Sequence, residues 1–128
     1  MIVVDASAMI ELLARTPNAP FIEAVLDDDV IAPDLLVPEV LRFFGRLADA
    51  DRAAFAVTDL GDASIEYVPV WPYTNRIWEL RANVSSYDAC YVAVAEAYRC
   101  PLVTTDRRLA RAPGLRTTVI VPPASASS

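Results

Sequence analysis

The 128-residue chain is long enough for one domain with a continuous core and too short for two independent domains. It contains no histidine and no lysine, so all 11 basic side chains are arginines, and its formal net charge is −6. These absences exclude a Ser-His-Asp triad, a histidine-based ribonuclease mechanism, a zinc site that uses histidine and the chemistries that rely on lysine. Carboxylate chemistry remains, with or without a bound metal ion.

The composition indicates a folded protein that contacts a partner. Hydrophobic residues make up 55% of the chain, more than a small monomer buries easily, so an interface or a dimer is expected. We find no signal-like N-terminal segment and no apolar run near the ~18 residues of a membrane span, and therefore expect a soluble, cytoplasmic protein without membrane contacts. The negative charge argues against a simple nucleic-acid binder unless bound cations neutralise several of the acids.

The first part of the chain alternates between strand and helix patterns. An apolar run over residues 1–4 predicts a buried strand, and apolar residues at helical spacing over 7–14 predict the helix that follows. A short helix at about 21–26 and a strand at 30–32 come next. A third helix is expected to start near Pro38, because proline suits a first helical position.

The second part continues this alternation. Pro69 makes the strand predicted at 65–70 an edge strand or a poorly formed one. The clearest helix spans 86–98, where alanines and valines occupy one face and a serine stands at the start. The remaining predicted elements are helices at 51–60, 73–81 and 106–111 and strands at 101–104 and 117–121.

These elements predict an α/β fold in which helices flank a central, mostly parallel sheet. We assign residues 1–121 to a single domain and residues 122–128, which are rich in Pro, Ala and Ser, to a flexible tail. Cys90 and Cys100 stand on or beside one predicted helix, ~15 Å apart along it, which is too far for a disulfide. Both are expected to be reduced core residues.

Four acidic residues, far apart in the sequence, are expected at one edge of this sheet. Asp5 comes directly after a strand, and Asp106 comes two residues after the strand at 101–104. Glu39 stands in the first turn of a helix that leaves a strand, and Asp88 stands near the start of a helix that leads into the strand at 101–104. Because the carboxyl ends of parallel strands share one edge, all four acids are predicted to converge there.

Each acid also has a purely structural interpretation. Asp5 and Asp106 suit the N-cap positions of the helices after them, and Glu39 suits a helix N-terminus through its charge. Ser85 and Asp88 match a helix-capping pattern. The complete set favours a functional site, because crowded carboxylates repel one another unless a cation joins them. Oxygen ligands without histidine favour Mg²⁺ or Mn²⁺, which can activate water for attack on a phosphodiester.

Four short segments of the chain stand in a fixed order and at defined spacings. They are VVDASA at residues 3–8, APDLLVPEV at 32–40, SSYDACYVA at 85–93 and LVTTDRRLA at 102–110. Each is weakly specific alone, but together they resemble the VapC group of PIN-domain ribonucleases over nearly the whole chain.

This resemblance implies that one set of acids binds the metal and acts in catalysis, with two polar neighbours in support. It further implies the toxin of a type II toxin-antitoxin pair, which cleaves RNA with Mg²⁺, forms a homodimer and is inhibited by a cognate VapB-type antitoxin. The implied acids are Asp5, Glu39, Asp88 and Asp106, and the implied supporting residues are Ser7 and Thr104.

The roles of several arginines and aromatic residues near these segments can be interpreted in more than one way. The arginines suit either phosphate contacts or a solvated helix face with weak ion pairs. The aromatic residues suit base stacking, core packing or a dimer interface, of which we prefer the interface. The arginines are Arg42, Arg46, Arg107, Arg108 and Arg111, and the aromatic residues are Trp71, Tyr73 and Trp78.

Two other functions are considered. A catalytically silent PIN-like module with a binding or regulatory role is the main alternative, since capping explains each acid singly and the surface is acidic. A receiver domain or an aspartyl-phosphate phosphatase also places carboxylates at this edge. The missing lysine counts against both, and Ser7 stands where the phosphatase would carry a second aspartate after Asp5.

Overall fold

Parallel strands form the centre of the molecule. The computed structural model describes residues 1–26 and 29–124. Its strands are β1 (Ile2–Val4), β2 (Val30–Pro33), β3 (Ile65–Val68), β4 (Leu102–Val103) and β5 (Val119–Ile120). They form one sheet in the order β3-β2-β1-β4-β5, and every pair is parallel.

Helices connect these strands. Short 3-10 helices at Trp71–Tyr73 and Leu80–Ala82 flank one of them. The α-helices are α1 (Ala6–Ala14), α2 (Ala19–Val25), α3 (Leu36–Gly45), α4 (Ala50–Asp62), α5 (Thr74–Glu79), α6 (Ser86–Tyr98) and α7 (Arg107–Ala110). The predicted α/β class with a mostly parallel sheet is confirmed.

The sheet is covered by helices because its central strands are apolar on both faces. Every residue of β1 and β4 is buried. Helix α1 contacts α2, α3 and α4, whereas α6 packs across β1 and β2. Since crossovers between parallel strands are right-handed, the helices that connect β1 to β3 and the helices that precede β4 lie on opposite faces. Because all strands are parallel, every connection from a strand to the next helix starts at the same edge of the sheet, the carboxyl edge.

Several predicted boundaries are wrong. Helix α3 begins at Leu36 rather than near Pro38. Pro38 is tolerated in the first turn because the first N–H groups of a helix have no hydrogen-bond partner within the helix. Strand β3 lies at the sheet edge as predicted but ends at Val68, before Pro69, which cannot donate to the ladder. The helix predicted at 73–81 contains only α5 as α-helix, between the two 3-10 helices.

The two cysteines are buried and free, as predicted. In the described ranges, none of the helices is both long and apolar enough to cross a membrane. Of the predicted tail, Pro122 is buried and its carbonyl oxygen accepts a hydrogen bond from Arg107, while residues 125–128 lie outside the described residues. The single domain at 1–121 stays a prediction.

An ion pair between Arg76 of α5 and Glu96 of α6 joins the helices of one layer. Their side chains are only 19% and 10% exposed. Arg76 Nε and Nη2 donate to the two oxygens of Glu96 at 2.7 and 3.0 Å, and Nη2 also donates to the Gly114 carbonyl at 2.8 Å. Burial acts to raise the pKa of Glu96, but bonds from Arg76 and from the Arg116 N–H hold it below its usual value. This pair fixes the loop before β5 to α5 and α6.

Arg76→Gln should therefore lower the free energy of unfolding by about 2 to 3 kcal/mol, because it leaves the Glu96 carboxylate half-paired in a mostly buried place. Urea unfolding measures this value. Arg99→Gln removes the same charge at the end of α6, where the arginine is exposed, and should change the stability by less than about 0.5 kcal/mol. Equal values for the two variants would contradict a stabilising role for the pair.

Candidate active site

A pocket of about 580 Å³ opens at the carboxyl edge of the sheet. All four of the predicted acids line it. They reach it from four different elements: the end of β1, the first turn of α3, the first turn of α6 and the N-cap of α7. The acids are Asp5, Glu39, Asp88 and Asp106, and the other lining residues include Ser7, Ile10, Arg42, Phe43, Arg46 and Tyr91.

Asp5 is the most buried of these acids, with 4% of its surface exposed. Its Oδ1 accepts hydrogen bonds from the Ser7 hydroxyl at 2.7 Å and from the Ala8 N–H at 2.9 Å. Its Oδ2 accepts a short hydrogen bond from the buried hydroxyl of Thr104. Ser7 and Thr104 thus contact Asp5 directly, as expected of supporting residues, and fix the orientation of its carboxylate.

The same two hydroxyl groups also position the chain after β4. The Ser7 oxygen accepts from the Thr105 N–H at 3.1 Å, and the Thr104 oxygen accepts from the Asp106 N–H at 3.1 Å. The two hydroxyl oxygens lie 3.1 Å apart. Helix α1 and the β4–α7 connection are therefore held in one hydrogen-bond network beneath the pocket.

The acids make the pocket electrostatically unfavourable for negative charge. Burial raises the pKa of Asp5 to about 6, against the hydrogen bonds from Thr104, Ala8 and Ser7, and the charge of Asp88 adds to this effect. Burial also raises the pKa of Asp88, which Asp106 raises further. Asp88 thus interacts with Asp5 and with Asp106, and its charge also helps to raise the pKa of Glu39. Raised carboxylate pKa values are typical of functional sites.

Glu39 has a partner that the sequence prediction missed. The Tyr91 hydroxyl of α6 donates to Glu39 Oε1 at 2.6 Å. Burial raises the pKa of Tyr91, so the phenol stays protonated and acts as a donor. Burial is also the main cause of the raised pKa of Glu39, and the bond from Tyr91 opposes it. Tyr91 follows Asp88 by three positions on one helix, and this spacing was the available signal that both face the pocket.

The capping interpretation of the acids is also correct. Asp5 caps α1 through the Ala8 N–H, and Asp106 caps α7 through the Arg108 N–H at 2.9 Å. Ser85 accepts from the Asp88 N–H at the start of α6. Capping explains why an aspartate or a serine occupies the N-cap position of each of these helices. It does not explain why all four carboxylates line the same pocket.

The donor set of this pocket fits a hard divalent cation. Its possible ligands are carboxylate and hydroxyl oxygens, which Mg²⁺ and Mn²⁺ prefer. Within the described residues, Asp5, Glu39 and Asp88 form no ion pair, and no group of three acids or cysteines is close enough to hold an ion by itself. Mg²⁺ usually binds through one or two carboxylates and keeps several waters, so it does not require three protein ligands in contact with the ion.

The arginines near the acids are placed differently from one another. Arg42 and Arg46 line the pocket. Arg108 forms an exposed ion pair with Asp106 at 3.5 Å, and Arg107 bonds to the Pro122 carbonyl. Arg111 is exposed at the end of α7 and is not among the lining residues.

The aromatic residues at 71–78 lie outside the pocket. Trp71 and Trp78 are 76% and 64% exposed, so neither is a core residue, whereas Tyr73 packs partly against the core. Arg81 stacks on the Trp78 ring at 4.1 Å. Their assignment to a dimer interface stays a prediction.

In an assay of the RNA hydrolysis proposed below, Tyr91→Phe should lower the rate about tenfold, because a hydrogen bond to a carboxylate is worth ~1.5–3 kcal/mol and orients Glu39. The loss should appear in kcat rather than in KM. Tyr67→Phe removes a partly exposed hydroxyl on β3 and is the control. In a Glu39→Gln background, Tyr91→Phe should have little further effect, and an additive loss would contradict the assigned coupling.

The comparisons with known proteins agree with this geometry. A family model described as PIN domain matches residues 2–115. Ribonuclease VapC9 of Mycobacterium tuberculosis is 40% identical over 114 residues, which cover 85% of this chain and 88% of that protein. Ribonuclease VapC1 of the same species is 36% identical over 124 residues, covering 88% and 91% of the two chains.

Solved structures show the same fold. The VapBC-5 structure from Mycobacterium tuberculosis superposes with a TM-score of 0.64 at 25% identity, covering 93% of this chain and 94% of that chain. VapC20 of the same species, a toxin that cleaves the sarcin-ricin loop, superposes with a TM-score of 0.70 at 17% identity, covering 87% and 94%. The resemblance of the four sequence segments is thereby confirmed: this chain belongs to the PIN domain family.

Proposed function

We propose that this chain is an endoribonuclease and the toxin of a type II toxin-antitoxin pair. The observation that carries the proposal is the convergence of Asp5, Glu39, Asp88 and Asp106 on one pocket at the carboxyl edge of a parallel sheet. The names of the relatives support it, because the curated proteins at 32–40% identity are called VapC ribonucleases.

The proposed reaction is hydrolysis of an RNA phosphodiester by water. A divalent ion, Mg²⁺ with Mn²⁺ as a substitute, would be held by these carboxylates and would supply water activation and charge neutralisation. Asp5 offers a carboxylate whose orientation is fixed by Ser7 and Thr104. Glu39 and Asp88, whose pKa values are raised, are suited to accept a proton from the attacking water. The products would carry a 5′-phosphate and a 3′-hydroxyl.

The proposal includes the partners of a toxin. One structural relative is described as a toxin-antitoxin complex and another as a member of the VapBC family of toxin-antitoxin systems. We propose that a VapB-type antitoxin covers this pocket. We also propose a homodimer in the cytoplasm. The two exposed tryptophans, Trp71 and Trp78, support an interface, because large exposed aromatic side chains are typical of contact surfaces.

The experiment that tests the function is cleavage of a mixed cellular RNA pool by the purified, antitoxin-free chain. Reactions contain Mg²⁺, Mn²⁺ or EDTA, and the product ends are sequenced. Metal-dependent cuts at a few discrete sites, with 5′-phosphate ends, are expected. Ends with a 2′,3′-cyclic phosphate would refute the proposed chemistry.

The alternative is a catalytically silent module that binds a partner through the same fold. It is favoured by the capping contacts of Asp5 and Asp106, which a protein without activity would also need. Absence of cleavage by a protein shown to be folded and free of antitoxin would favour this alternative over the ribonuclease.

A further inference from the structure

Helix α3 presents positive charge to the acidic pocket. Arg42 and Arg46 both line the pocket and follow Glu39 by three and seven positions, so the three residues share one face of the helix. Both arginines are exposed. Along this face, Glu39 is partly buried, whereas the two arginines that also line the pocket are exposed.

The two arginines have no ion pair or hydrogen bond to another side chain in the part of the chain that the structure describes. Other arginines are engaged: Arg76 binds Glu96, Arg108 binds Asp106, and Arg107 donates to a backbone carbonyl. The negative end of the helix dipole favours cations at this end of α3. The helix dipole would favour these arginines whether or not their side chains bordered the pocket. It therefore does not explain why both of them line it.

We propose that Arg42 and Arg46 form a phosphate subsite, which holds the RNA strand beside the carboxylates. This inference rests on the proposed ribonuclease function. RNA carries a charge at every nucleotide, whereas the pocket carries four acids and the chain has a net charge of −6. Guanidinium groups bind phosphate in a bidentate manner, and two of them one turn apart can contact neighbouring phosphates. They compensate locally for the repulsion that the acids impose.

Phe43 adds a stacking surface to this subsite. Its ring is 44% exposed, borders the same pocket and packs edge-on against the buried Phe44 at 5.1 Å. A ring that is supported on one side and open on the other is a platform for an unpaired base. The combination of guanidinium groups and a supported ring favours single-stranded RNA over an acidic protein segment as the ligand.

The test measures RNA binding against salt concentration in an Asp5→Asn background, which prevents cleavage. The probe is a short fluorescein-labelled single-stranded RNA of mixed sequence. Each phosphate contact on a single strand contributes ~0.7 to the slope of log K against log salt, so Arg42→Gln with Arg46→Gln should reduce the slope by about 1.4. Phe43→Leu should weaken binding about tenfold without changing the slope, because stacking releases no counterions.

Matched controls remove the same charge and the same ring type elsewhere. Arg15→Gln with Arg99→Gln neutralises two exposed arginines at the ends of α1 and α6, on the opposite edge of the sheet. Phe55→Leu changes a ring on α4 that is 72% exposed. Both controls should leave the slope unchanged, and neither should change the affinity by more than about twofold. In the active protein, the Arg42 and Arg46 changes should raise KM and leave kcat nearly unchanged.

An unchanged slope in the Arg42→Gln/Arg46→Gln protein, or an equal reduction in the Arg15→Gln/Arg99→Gln control, would overturn the subsite. So would a loss of antitoxin binding with RNA binding intact, because the surface would then be a protein contact. Failure of the proposed function itself is seen separately, because the folded, unmodified chain would then not cleave the RNA pool, whatever its affinity for the probe.

Discussion

Asp5→Asn will abolish RNA cleavage, with an expected loss of at least about a thousandfold, while the metal-free protein becomes more stable at pH 8. Under the proposed mechanism the activity is lost because an amide is a weaker ligand than a carboxylate and carries no charge to neutralise a cation, a difference of several kcal/mol in the transition state. The stability rises because the native protein no longer buries an ionised group that interacts with Asp88.

The size of this stabilisation follows from the pKa of Asp5. Burial raises that pKa from 3.8 to about 6, and the difference corresponds to a cost of about 3 kcal/mol for the ionised form in the folded protein. Part of this gain will be offset, since the new amide nitrogen forces the Thr104 hydroxyl to change from donor to acceptor. A net gain of about 1 to 2 kcal/mol is expected in urea unfolding with EDTA.

Asp49→Asn is the matched control for this prediction. Asp49 caps α4 through the Arg52 N–H three positions ahead, as Asp5 caps α1 through Ala8, but it is exposed and lies outside the pocket. Asparagine caps helices about as well as aspartate, so activity and stability should stay within about 0.5 kcal/mol of the original protein. A loss of stability in Asp5→Asn, without a loss in the control, would mean that Asp5 is mainly structural.

The second large effect expected is a pH-dependent stabilisation by divalent metal. In EDTA, the folded protein keeps a proton on Asp5 up to about pH 6, whereas the unfolded chain releases it near 3.8. The folded state therefore binds more protons between these values, and this group makes stability fall as the pH rises through that window. A cation competes with the proton for the carboxylates, so Mg²⁺ or Mn²⁺ should stabilise the protein more at pH 7.5 than at pH 5.

Thermal unfolding with and without metal measures this effect at matched ionic strength. At a metal concentration one hundred times its dissociation constant, the expected stabilisation is about 2.7 kcal/mol. The shift should be absent in Asp5→Asn and retained in Asp49→Asn. An equal shift in all three proteins would place the metal elsewhere, and no shift in any of them would count against an organised metal site.

Much of the fold could be predicted because strong local patterns agree with the tertiary structure. The apolar run before Asp5 and the helix at 86–98 are both observed where they were predicted. Residues 89–95 of α6 are buried on all sides, however, whereas the sequence predicted a single apolar face. Boundaries were predicted less well where local rules allow several answers. Pro38 is compatible with any position in a first helical turn, and the stretch at 73–81 alternates between 3-10 and α geometry.

The candidate site was predictable to the extent that topology decides position. A residue directly after a parallel strand lies at the carboxyl edge, so the convergence of Asp5 and Asp106 follows from the element order alone. Tyr91 could not be assigned as a partner of Glu39 in this way. The two residues belong to different helices, and only the packing of α6 over the sheet decides which side chain of α3 its hydroxyl meets.

The sequence by itself determined the α/β class, the membership in a family and the residue types available for chemistry, because these depend on periodicity, order and composition. The tertiary structure alone decided which arginines border the pocket and which are engaged elsewhere. Arg42 and Arg108 stand at similar distances from an acid along the chain, yet one lines the pocket and the other pairs with Asp106. Helical spacing from Glu39 already put Arg42 on the same face of α3, but only the packing of the helices decided that this face borders the pocket, whereas Arg108 turns to Asp106.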